Sequence, residues 1–379
     1  MRRKLIYVTG TRADYGLMSR ALSIWNDSEC LSLSVCVTGM HLLQEYGFTV
    51  DEIRQSEMRI CGEIRADLAN ATGGVMAKAI ATELTGMVDV FARESPDLVV
   101  LLGDRGEMVA GALAAIHLNI PIVHIHGGER SGTVDEPVRH AISKLSHYHF
   151  TATDGARERL IRMGEEQAHI FTVGAPGLDG LTDDAVCSKK ELYHEFGFSE
   201  GIATGLMVFH PVVQDASAAG EQMDTVLAAV TKCKMQVVCL LPNADAGSNF
   251  IRCSIERFQR ENDATFQVLT HLPRKKFISW MKCVDVMIGN SSSGIIEAAT
   301  FGTPVVNIGC RQQGRERSCN VLDVDVEEQS ISEAIKVALQ HGEKDVRNVY
   351  GDGESGSRML KLLETLPLDK ALMNKLNAY

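Results

Sequence analysis

Residues 124–147, HIHGGERSGTVDEPVRHAISKLSH, place many titratable side chains directly after a short apolar run. His124 and His126 lie at the end of the run, and Glu129 and Asp135 follow across a loop that contains three glycines. Glycine lets the backbone approach a ligand closely, so a loop of this composition suits a binding or reaction site. These groups could coordinate a metal, transfer protons or form a solvated loop, and the rest of the chain must distinguish these roles.

The segment gives little support for a metal site. Its histidines and dispersed acids do not form the closed ligand set that zinc requires, and hydrogen-bonded or core histidines are the simpler interpretation. The alternation of His124 and His126 predicts that both lie on one face of a strand. His140, Lys144 and His147 are spaced so that they should share one face of the following helix. We therefore expect no metal here.

Two loops in the first third of the chain also carry charged residues at the end of an apolar run. TGTRADYG (9–16) contains Arg12, which could bind a phosphate or a carboxylate bidentately. The loop matches neither G-x-G-x-x-G nor a Walker sequence, which disfavours nicotinamide cofactors and Mg-ATP. LLGDRGEM (101–108) places Asp104 at a predicted strand end, where catalysis and a structural ion pair are both compatible with the sequence.

The second half of the chain repeats this arrangement. FHP (209–211) places His210 after an apolar run, and PNADAG (242–247) places Asn243 and Asp245 after the next one. Turn chemistry alone could explain both segments. Their shared location at predicted strand ends favours a functional role.

The segment GNSSSGIIEAATFGTPVVNIGCRQQGRE (289–316) is the most specific. Serine hydroxyls and the free N–H groups at the start of a helix form an anion site, here predicted at Ser291–Gly294. Glu297 follows within the predicted helix, where a carboxylate can accept both hydroxyls of a ribose, although a capping role is the alternative. Arg311 closes the next strand–loop connection. Together these groups predict a nucleoside diphosphate pocket.

The elements that position these residues are short apolar runs that alternate with helical patterns. Twelve runs read as strands, six in each half of the chain, and their apolar character on both faces is typical of parallel βαβ sheets. The sequence therefore predicts an α/β protein with two Rossmann-like doubly wound domains facing a cleft. We place the N-terminal domain at 1–180 and the C-terminal domain at 181–360, with a helix at about 360–379 packing back on the first. Ligands bind at the carboxyl ends of strands in such sheets.

Bulk composition excludes several classes of protein. The 379 residues contain 38 Lys and Arg against 49 Asp and Glu, which gives a net charge of −11. Nucleic-acid binding as the main role is disfavoured, since such proteins usually present a basic face. No apolar run approaches the ~18 residues that span a bilayer. The ten cysteines are scattered without metal-ligand spacing, so we expect reduced thiols in a cytoplasmic protein.

Taken together, the motifs resemble those of the hydrolysing UDP-N-acetylglucosamine 2-epimerases of sialic acid biosynthesis, a family that includes the epimerase half of the animal bifunctional enzyme. The resemblance extends over nearly the whole chain and includes TGTRADYG, GDR (103–105), the 124–149 segment, GEEQAHIFTVGAPGLD, HP (210–211), PNADAGS, the 289–316 segment and YGDG (350–353). The opening TGTRADYG differs from the GTRPE opening of non-hydrolysing relatives. The fold that the resemblance implies is of the glycosyltransferase-B type.

The resemblance also implies roles for the residues that match its motifs. The implied catalytic residues are Asp104, Glu129, Asp135, His210 and Arg311. The implied contacts to UDP come from Arg12, Ala13, His210, Asn243, Asp245, Ser291, Ser292, Ser293, Gly294 and Glu297. No metal and no cofactor are expected.

The implied reaction converts UDP-N-acetylglucosamine and water into N-acetylmannosamine and UDP through a 2-acetamidoglucal. One alternative is the same chemistry on a UDP-2,4-diacetamido-2,4,6-trideoxyhexose, which leads to legionaminic acid. Two further alternatives are a UDP-sugar glycosyltransferase and an inactive nucleotide-sugar sensor. Members of the family are homo-oligomers, so a dimer or tetramer is expected, and neither nucleic acid nor a membrane is an expected partner.

Overall fold

The structure is a computed structural model that describes residues 2–68, 72–131, 135–242, 246–262, 265–270, 272–341 and 346–379. Its contacts divide the chain into two compact units. The first comprises Met1–Glu129, Asp135–Asp179 and Tyr350–Tyr379, and the second comprises Arg130–Val134 and Gly180–Val349. Each unit contains one parallel sheet.

Thirteen strands are present in the described part of the chain. The first unit contains β1 (Arg3–Thr9), β2 (Leu31–Thr38), β3 (Ile60–Ile64), β4 (Leu98–Leu102), β5 (Ile122–Ile125), β6 (Tyr148–Thr151) and β7 (Ile170–Thr172). The second contains β8 (Thr204–Val208), β9 (Gln236–Leu240), β10 (Phe266–Leu269), β11 (Val286–Gly289), β12 (Val305–Ile308) and β13 (Val321–Val324).

Helices separate most of these strands. In the first unit they are α1 (Arg12–Asn26), α2 (Val50–Gln55), α3 (Gly73–Glu94), α4 (Gly106–His117), α5 (Asp135–Leu145) and α6 (Asp154–Arg162). In the second they are α7 (Leu181–Asp184), α8 (Lys189–Phe196), α9 (Ala219–Lys232), α10 (Ser248–Asn262), α11 (Arg274–Cys283), α12 (Ser292–Ile296) and α13 (Glu328–His341). The last helix, α14 (Ser355–Thr365), belongs to the first unit.

Both sheets have the doubly wound strand order. The first runs β3-β2-β1-β4-β5-β6-β7 and the second β10-β9-β8-β11-β12-β13, and the strand pairs are parallel. In each sheet the order reverses beside the first strand, between β1 and β4 and between β8 and β11. Connections leave these two strands in opposite directions, which opens a crevice at their carboxyl ends where ligands bind in this architecture.

Apolar side chains cover both faces of the sheets. All five residues of β4 and of β8 are buried, as expected for central strands with helices on either side. In the first unit, one core cluster includes residues of α1 and α14, and another includes residues of α3 and α4. A third cluster fills the second unit with side chains from α9 and α13.

The predicted architecture of two doubly wound parallel α/β sheets is confirmed, and all twelve predicted strands are present. The sequence did not predict β3, an edge strand. α14 ends at Thr365, and residues 367–379 contain no regular secondary structure, where the sequence had suggested a helix at about 360–379. No helix of the described residues is both long enough and apolar enough to cross a membrane.

Candidate active site

The switch point of the first sheet places Asp104 beside a buried arginine. Asp104 follows β4 through Gly103, whose φ of 81° is a left-handed conformation that favours glycine. Its carboxylate contacts Nη2 of Arg139 on α5, and Nη1 of the same guanidinium donates a 3.0 Å hydrogen bond to the backbone oxygen of Glu129. Arg139 is only 1 % exposed. One arginine therefore sets the spacing between two of the predicted catalytic residues.

His124 links the same helix to the same loop. Its Nε2 lies 2.7 Å from the carbonyl oxygen of Gly103, and its Nδ1 lies 3.0 Å from Oγ of Ser143 on α5. Burial lowers the pKa of His124 to about 3, so the ring is neutral at physiological pH. Since a carbonyl only accepts, Nε2 carries the hydrogen and Nδ1 accepts from the serine hydroxyl. His124 therefore connects the loop after β4 to α5.

Glu129 is fully buried at the end of the glycine loop. Its Oε1 lies 2.8 Å from Nδ1 of His126, and Nε of Arg159 donates a 2.6 Å hydrogen bond to the backbone oxygen of the neighbouring Gly128. The prediction that His124 and His126 share a strand face is wrong. β5 ends at Ile125, and His126 has a φ of 65°, so the turn and not the strand directs its ring toward Glu129.

Asp135 is the first residue of α5, one turn before Arg139. The helix ends at Leu145, so His140 and Lys144 lie on it, whereas His147 lies beyond it and accepts a 3.1 Å hydrogen bond from the backbone of Ile122. Of the three residues predicted to share one face of the helix, only His140 and Lys144 lie on α5. Residues 132–134, which connect the glycine loop to α5, lie outside the described residues.

Arg12 and Ala13 form the first turn of α1, directly after β1. A reciprocal capping box between Thr11 and Asp14 holds this turn, and the Asp14 carboxylate also accepts from the backbone of Gly10 at 3.1 Å. Burial raises the pKa of Asp14 to about 6. Nε of Arg12 is 3.0 Å from Glu52, an ion pair that a phosphate ligand would have to compete with.

Two further buried acids lie behind these loops. Glu107, on the first turn of α4, has its carboxylate 3.3 Å from Nε of Arg105 and packs so closely that a Cβ on Gly10 would lie 2.7 Å from it. Glu83 of α3 accepts a 3.1 Å hydrogen bond from Oγ1 of Thr38. Burial, followed by the charge of Glu107, raises the pKa of Glu83 to about 8, so this carboxyl is largely protonated at neutral pH.

At the switch point of the second sheet, His210 and Asn290 hydrogen-bond to each other. The backbone N–H of His210 donates to Oδ1 of Asn290 at 2.7 Å, and Nδ2 of Asn290 returns a 2.9 Å bond to the His210 carbonyl. Gly289, which ends β11, has a φ of 133°, and a Cβ there would lie 2.1 Å from the Val208 carbonyl oxygen. The glycine thus lets the two strand ends approach and position His210.

The serine segment follows directly. Ser291 caps α12, its hydroxyl is 2.8 Å from that of Ser293, and Ser292 and Gly294 lie in the first turn. The helix is only five residues long and continues as a 3-10 turn, Ala298–Phe301, so Glu297 lies at its end and not inside it. Glu297 is 3 % exposed and forms a 2.8 Å ion pair with Arg274.

Arg311 is anchored in the same unit. Its Nη1 donates a 3.1 Å hydrogen bond to the backbone oxygen of Asn290, which also accepts from Gln312 at 3.0 Å. The structure thus brings Arg311 to the loop that carries Asn290 and the serines, and Asn290 in turn bonds to the backbone of His210. Asn243 and Asp245 lie outside the described residues, so their predicted contacts remain predictions.

Sequence reasoning missed two residues that organise these sites. Arg139 lies four positions after Asp135, so helical periodicity alone would have placed the two on one face, next to the acids. Asn290 lies directly after the glycine at the end of an apolar strand, a position at which a polar side chain can tie adjacent strand ends together. Within the described residues, no group of three His, Cys, Asp or Glu side chains is placed to hold a metal ion.

Comparison with known proteins gives a consistent result. A family model described as UDP-N-acetylglucosamine 2-epimerase matches residues 25–364. The chain is 52% identical over 379 residues, 100% of both chains, to the UDP-N,N'-diacetylbacillosamine 2-epimerase (hydrolyzing) of Legionella pneumophila. It is 33% identical to the GDP/UDP-N,N'-diacetylbacillosamine 2-epimerase (hydrolyzing) of Campylobacter jejuni, over 86% of this chain and 85% of the relative.

A solved structure confirms the predicted glycosyltransferase-B-type fold. The UDP-GlcNAc 2-epimerase of Neisseria meningitidis, crystallised with UDP-GlcNAc, superposes with a TM-score of 0.79 at 18% identity. The match covers 95% of this chain and 99% of that one.

Proposed function

The chain belongs to the UDP-N-acetylglucosamine 2-epimerase family and is a hydrolysing UDP-sugar 2-epimerase, and we propose that its substrate is a UDP-2,4-diacetamido-2,4,6-trideoxyhexose, UDP-N,N'-diacetylbacillosamine. The single observation that carries the proposal is the 52% identity to the Legionella pneumophila enzyme of that name, which extends over both chains entirely. The Campylobacter jejuni relative, whose name includes the same sugar, supports it.

UDP-N-acetylglucosamine is the second candidate, and it is the substrate that the motifs favour when the sequence is taken alone. It carries hydroxyls at C4 and C6, where the diacetamido sugar carries an acetamido group and a methyl group. The two substrates therefore present the same reacting atoms, C1 and C2, and differ only at the far side of the ring. Because the reacting atoms are the same, the mechanism below applies to either sugar.

The reaction proceeds in two halves. In the first, the C1–O bond breaks, its electron pair leaves with UDP, and a carboxylate removes the C2 proton, which leaves a C1=C2 double bond. In the second, the oxygen of water adds at C1, and C2 receives a proton on the opposite face. The products are UDP and the free sugar inverted at C2. Well-placed acids and bases contribute about 10²–10⁴-fold each.

Asp104, Glu129 and Asp135 are the groups we assign to proton transfer. The environments of two of them differ. Asp104 contacts the guanidinium of Arg139, whereas the buried Glu129 contacts the imidazole of His126. Two carboxyl groups in unlike surroundings can hold different protonation states at one pH, which a reaction that both removes and returns a proton requires.

The second-unit residues are assigned to the nucleotide. Arg311 and His210, which both hydrogen-bond to Asn290, would stabilise the negative charge of departing UDP. The hydroxyls of Ser291–Ser293 and the backbone at Gly294 would contact the diphosphate. Glu297, which forms a 2.8 Å ion pair with Arg274, would accept the ribose hydroxyls.

Incubation with each nucleotide sugar separately tests the proposal. We expect UDP release from the diacetamido sugar at a kcat/KM at least tenfold above that for UDP-N-acetylglucosamine, with deuterium at C2 of the product when the reaction is run in D₂O. The reverse preference would make UDP-N-acetylglucosamine the substrate. Release of UDP without free sugar would contradict a hydrolysing epimerase and favour a glycosyltransferase, and Glu129→Gln protein is the matched control for adventitious hydrolysis. The predicted dimer or tetramer is measured separately by light scattering.

A further inference from the structure

Among the groups that hold residues 367–379 to the first unit, the half-buried ammonium of Lys375 makes the most contacts with α5. Lys375 is 21% exposed at its side chain, and its Nζ donates to the backbone oxygens of Ser143 at 3.0 Å, Lys144 at 2.9 Å and Ser146 at 2.5 Å. These carbonyls belong to the last turn of α5 and the residue after it. A helix leaves its last four carbonyls without intrahelical partners and carries a partial negative charge there, so a cation at this point stabilises the helix end.

Glu165 forms an ion pair with this ammonium. The Lys375 Nζ lies 2.5 Å from Oε2 of Glu165, and Lys144 contacts its Oε1 at 2.7 Å. Burial alone would raise the pKa of Glu165, but hydrogen bonds from His149, Lys144 and Lys375 lower it to about 2. The carboxylate is therefore ionised across the working pH range. It pairs with Lys375 at the end of α5.

Lys375 caps α5, and the predicted catalytic acids lie on this helix or are connected to it by hydrogen bonds. Asp135 is its first residue, and Arg139, one turn later, contacts Asp104 and the backbone of Glu129. Ser143, in the last turn, is connected through His124 to the carbonyl that precedes Asp104. A shift of α5 along its axis would therefore move all three carboxylates relative to one another.

We propose that Lys375 is a positioning residue for the epimerase reaction, which it serves from the far end of α5 by fixing that helix against residues 367–379. The eleven residues of α5 span about 16 Å, so the ammonium acts through the helix and not through contact with the sugar. The proposal rests on the catalytic roles assigned above to the acids. A misplacement of about 1 Å at a reacting group can cost about 10²-fold in rate.

The surroundings of Lys375 allow this to be tested by substitution. A cavity of about 540 Å³ borders the ammonium and is lined by residues that include His147, Tyr148, His169 and Leu372. The cavity gives a longer side chain room to extend, so an arginine at position 375 can reach the same carbonyls and Glu165. Methionine has nearly the shape of lysine but neither charge nor donor, which makes Lys375→Met the direct removal of the cap.

In the full-length protein, we expect Lys375→Met to lower kcat by about tenfold to 10²-fold. The KM for the nucleotide sugar and the Kd for UDP should change by less than about twofold, because no nucleotide contact is assigned to this part of the first unit. Lys375→Arg should restore at least half of the lost kcat. Lys370→Met, at an exposed position in the same segment, is the matched control and should keep the wild-type kcat.

Coupling through α5 gives a second measurement. The kcat losses of Lys375→Met and Ser143→Ala should be less than multiplicative in the double variant, because both act through the position of one helix. A Lys375→Met enzyme with the wild-type kcat and only a lower Tm would overturn the proposal. If that variant does not fold, Lys375→Gln takes its place, since an uncharged amide cannot meet all three carbonyls and Glu165, and a wild-type kcat there would equally refute it.

The failure of this proposal can be distinguished from failure of the proposed function. Glu129→Gln and Asp135→Asn are assayed in the same series. Wild-type turnover by either of them contradicts the catalytic assignment itself. Inactive Glu129→Gln and Asp135→Asn proteins beside a fully active Lys375→Met protein contradict only the role of Lys375.

Discussion

Arg139→Lys is the substitution that most directly tests how this protein positions its acids. The guanidinium is 1 % exposed, and its two terminal nitrogens hold two different targets, the carboxylate of Asp104 and the backbone oxygen of Glu129. Lysine keeps the positive charge but offers a single nitrogen on a flexible stem. It can satisfy one target well, so the distance between the two acids is no longer fixed by one rigid group.

The size of the effect follows from the contact that is lost. A hydrogen bond to a charged partner contributes about 1.5–3 kcal/mol. If that free energy serves to hold the transition-state geometry, a loss of about 1.4 kcal/mol corresponds to a factor of ten, and kcat should fall by roughly 10–10²-fold. Arg139→Met should be worse, because it leaves the partly buried Asp104 without its cation at a cost of about 3 kcal/mol in stability.

The assay measures kcat and KM from UDP release and Tm from thermal unfolding. Arg162→Lys is the matched control, since Arg162 is 74% exposed and its ion pair with Glu158 spans 3.7 Å. A pair of this kind contributes at most about 0.5 kcal/mol. Arg139→Lys protein with a kcat within twofold of wild type would refute the argument that one guanidinium sets the spacing of Asp104 and Glu129.

Three further predictions concern catalysis, folding and pH. Glu129→Gln and Asp135→Asn should abolish turnover yet bind UDP with the wild-type Kd by calorimetry, and wild-type turnover by either contradicts its role. Gly289→Ala should lower stability by at least ~2 kcal/mol, because its φ is 133° and the new Cβ would lie 2.1 Å from a carbonyl oxygen. Gly201→Ala, with nothing within 4 Å of the new Cβ, should not. Because the pKa of Glu165 is lowered to about 2 in the folded state, its stabilisation is full above the unfolded pKa and is lost as pH falls from about 5 to 2. Urea unfolding across that range should show a loss of up to ~3 kcal/mol that Glu165→Gln lacks.

The strands were predictable because buried parallel strands are continuous apolar runs, but one strand was missed. β3 has the sequence ICGEI, in which Gly62 and Glu63 interrupt the apolar pattern. It lies at the edge of its sheet, where one side needs no strand partner, and its pairing with β2 shifts register near Cys36. Its strand conformation comes from hydrogen bonding to β2, which no local pattern expresses.

The location of the predicted site residues was accessible for a different reason. Parallel strands end at one edge of a sheet, and a loop with glycines and charges after an apolar run marks that edge. Asp104, His210 and Arg311 were all predicted in this way. Their partners were not, because Arg139 and Asn290 act across separations of 35 and 80 residues that depend on helix phase and strand order together.

The ends of α5 show how long-range contacts override a local reading. Periodicity suggested that the helix would continue through His147, yet it stops at Leu145. The carbonyls that a further turn would have paired instead accept hydrogen bonds from Lys375, some 230 residues later in the sequence. A cap supplied from so far along the chain leaves no trace in the residues around the helix end.

The proposed function also sets a requirement on the charges at the strand ends of the first unit. A UDP-sugar carries a dianionic diphosphate, so a loop region with several ionised carboxylates would repel it at close range. Three features limit that repulsion here: Arg139 pairs with Asp104, Arg105 lies beside Glu107, and burial keeps Glu83 largely protonated at neutral pH. The carboxyl groups that we propose for proton transfer are thus not accompanied by the full negative charge of every acid in the first unit. As pH rises through about 8, Glu83 ionises, and we expect KM for the nucleotide sugar to increase before kcat declines.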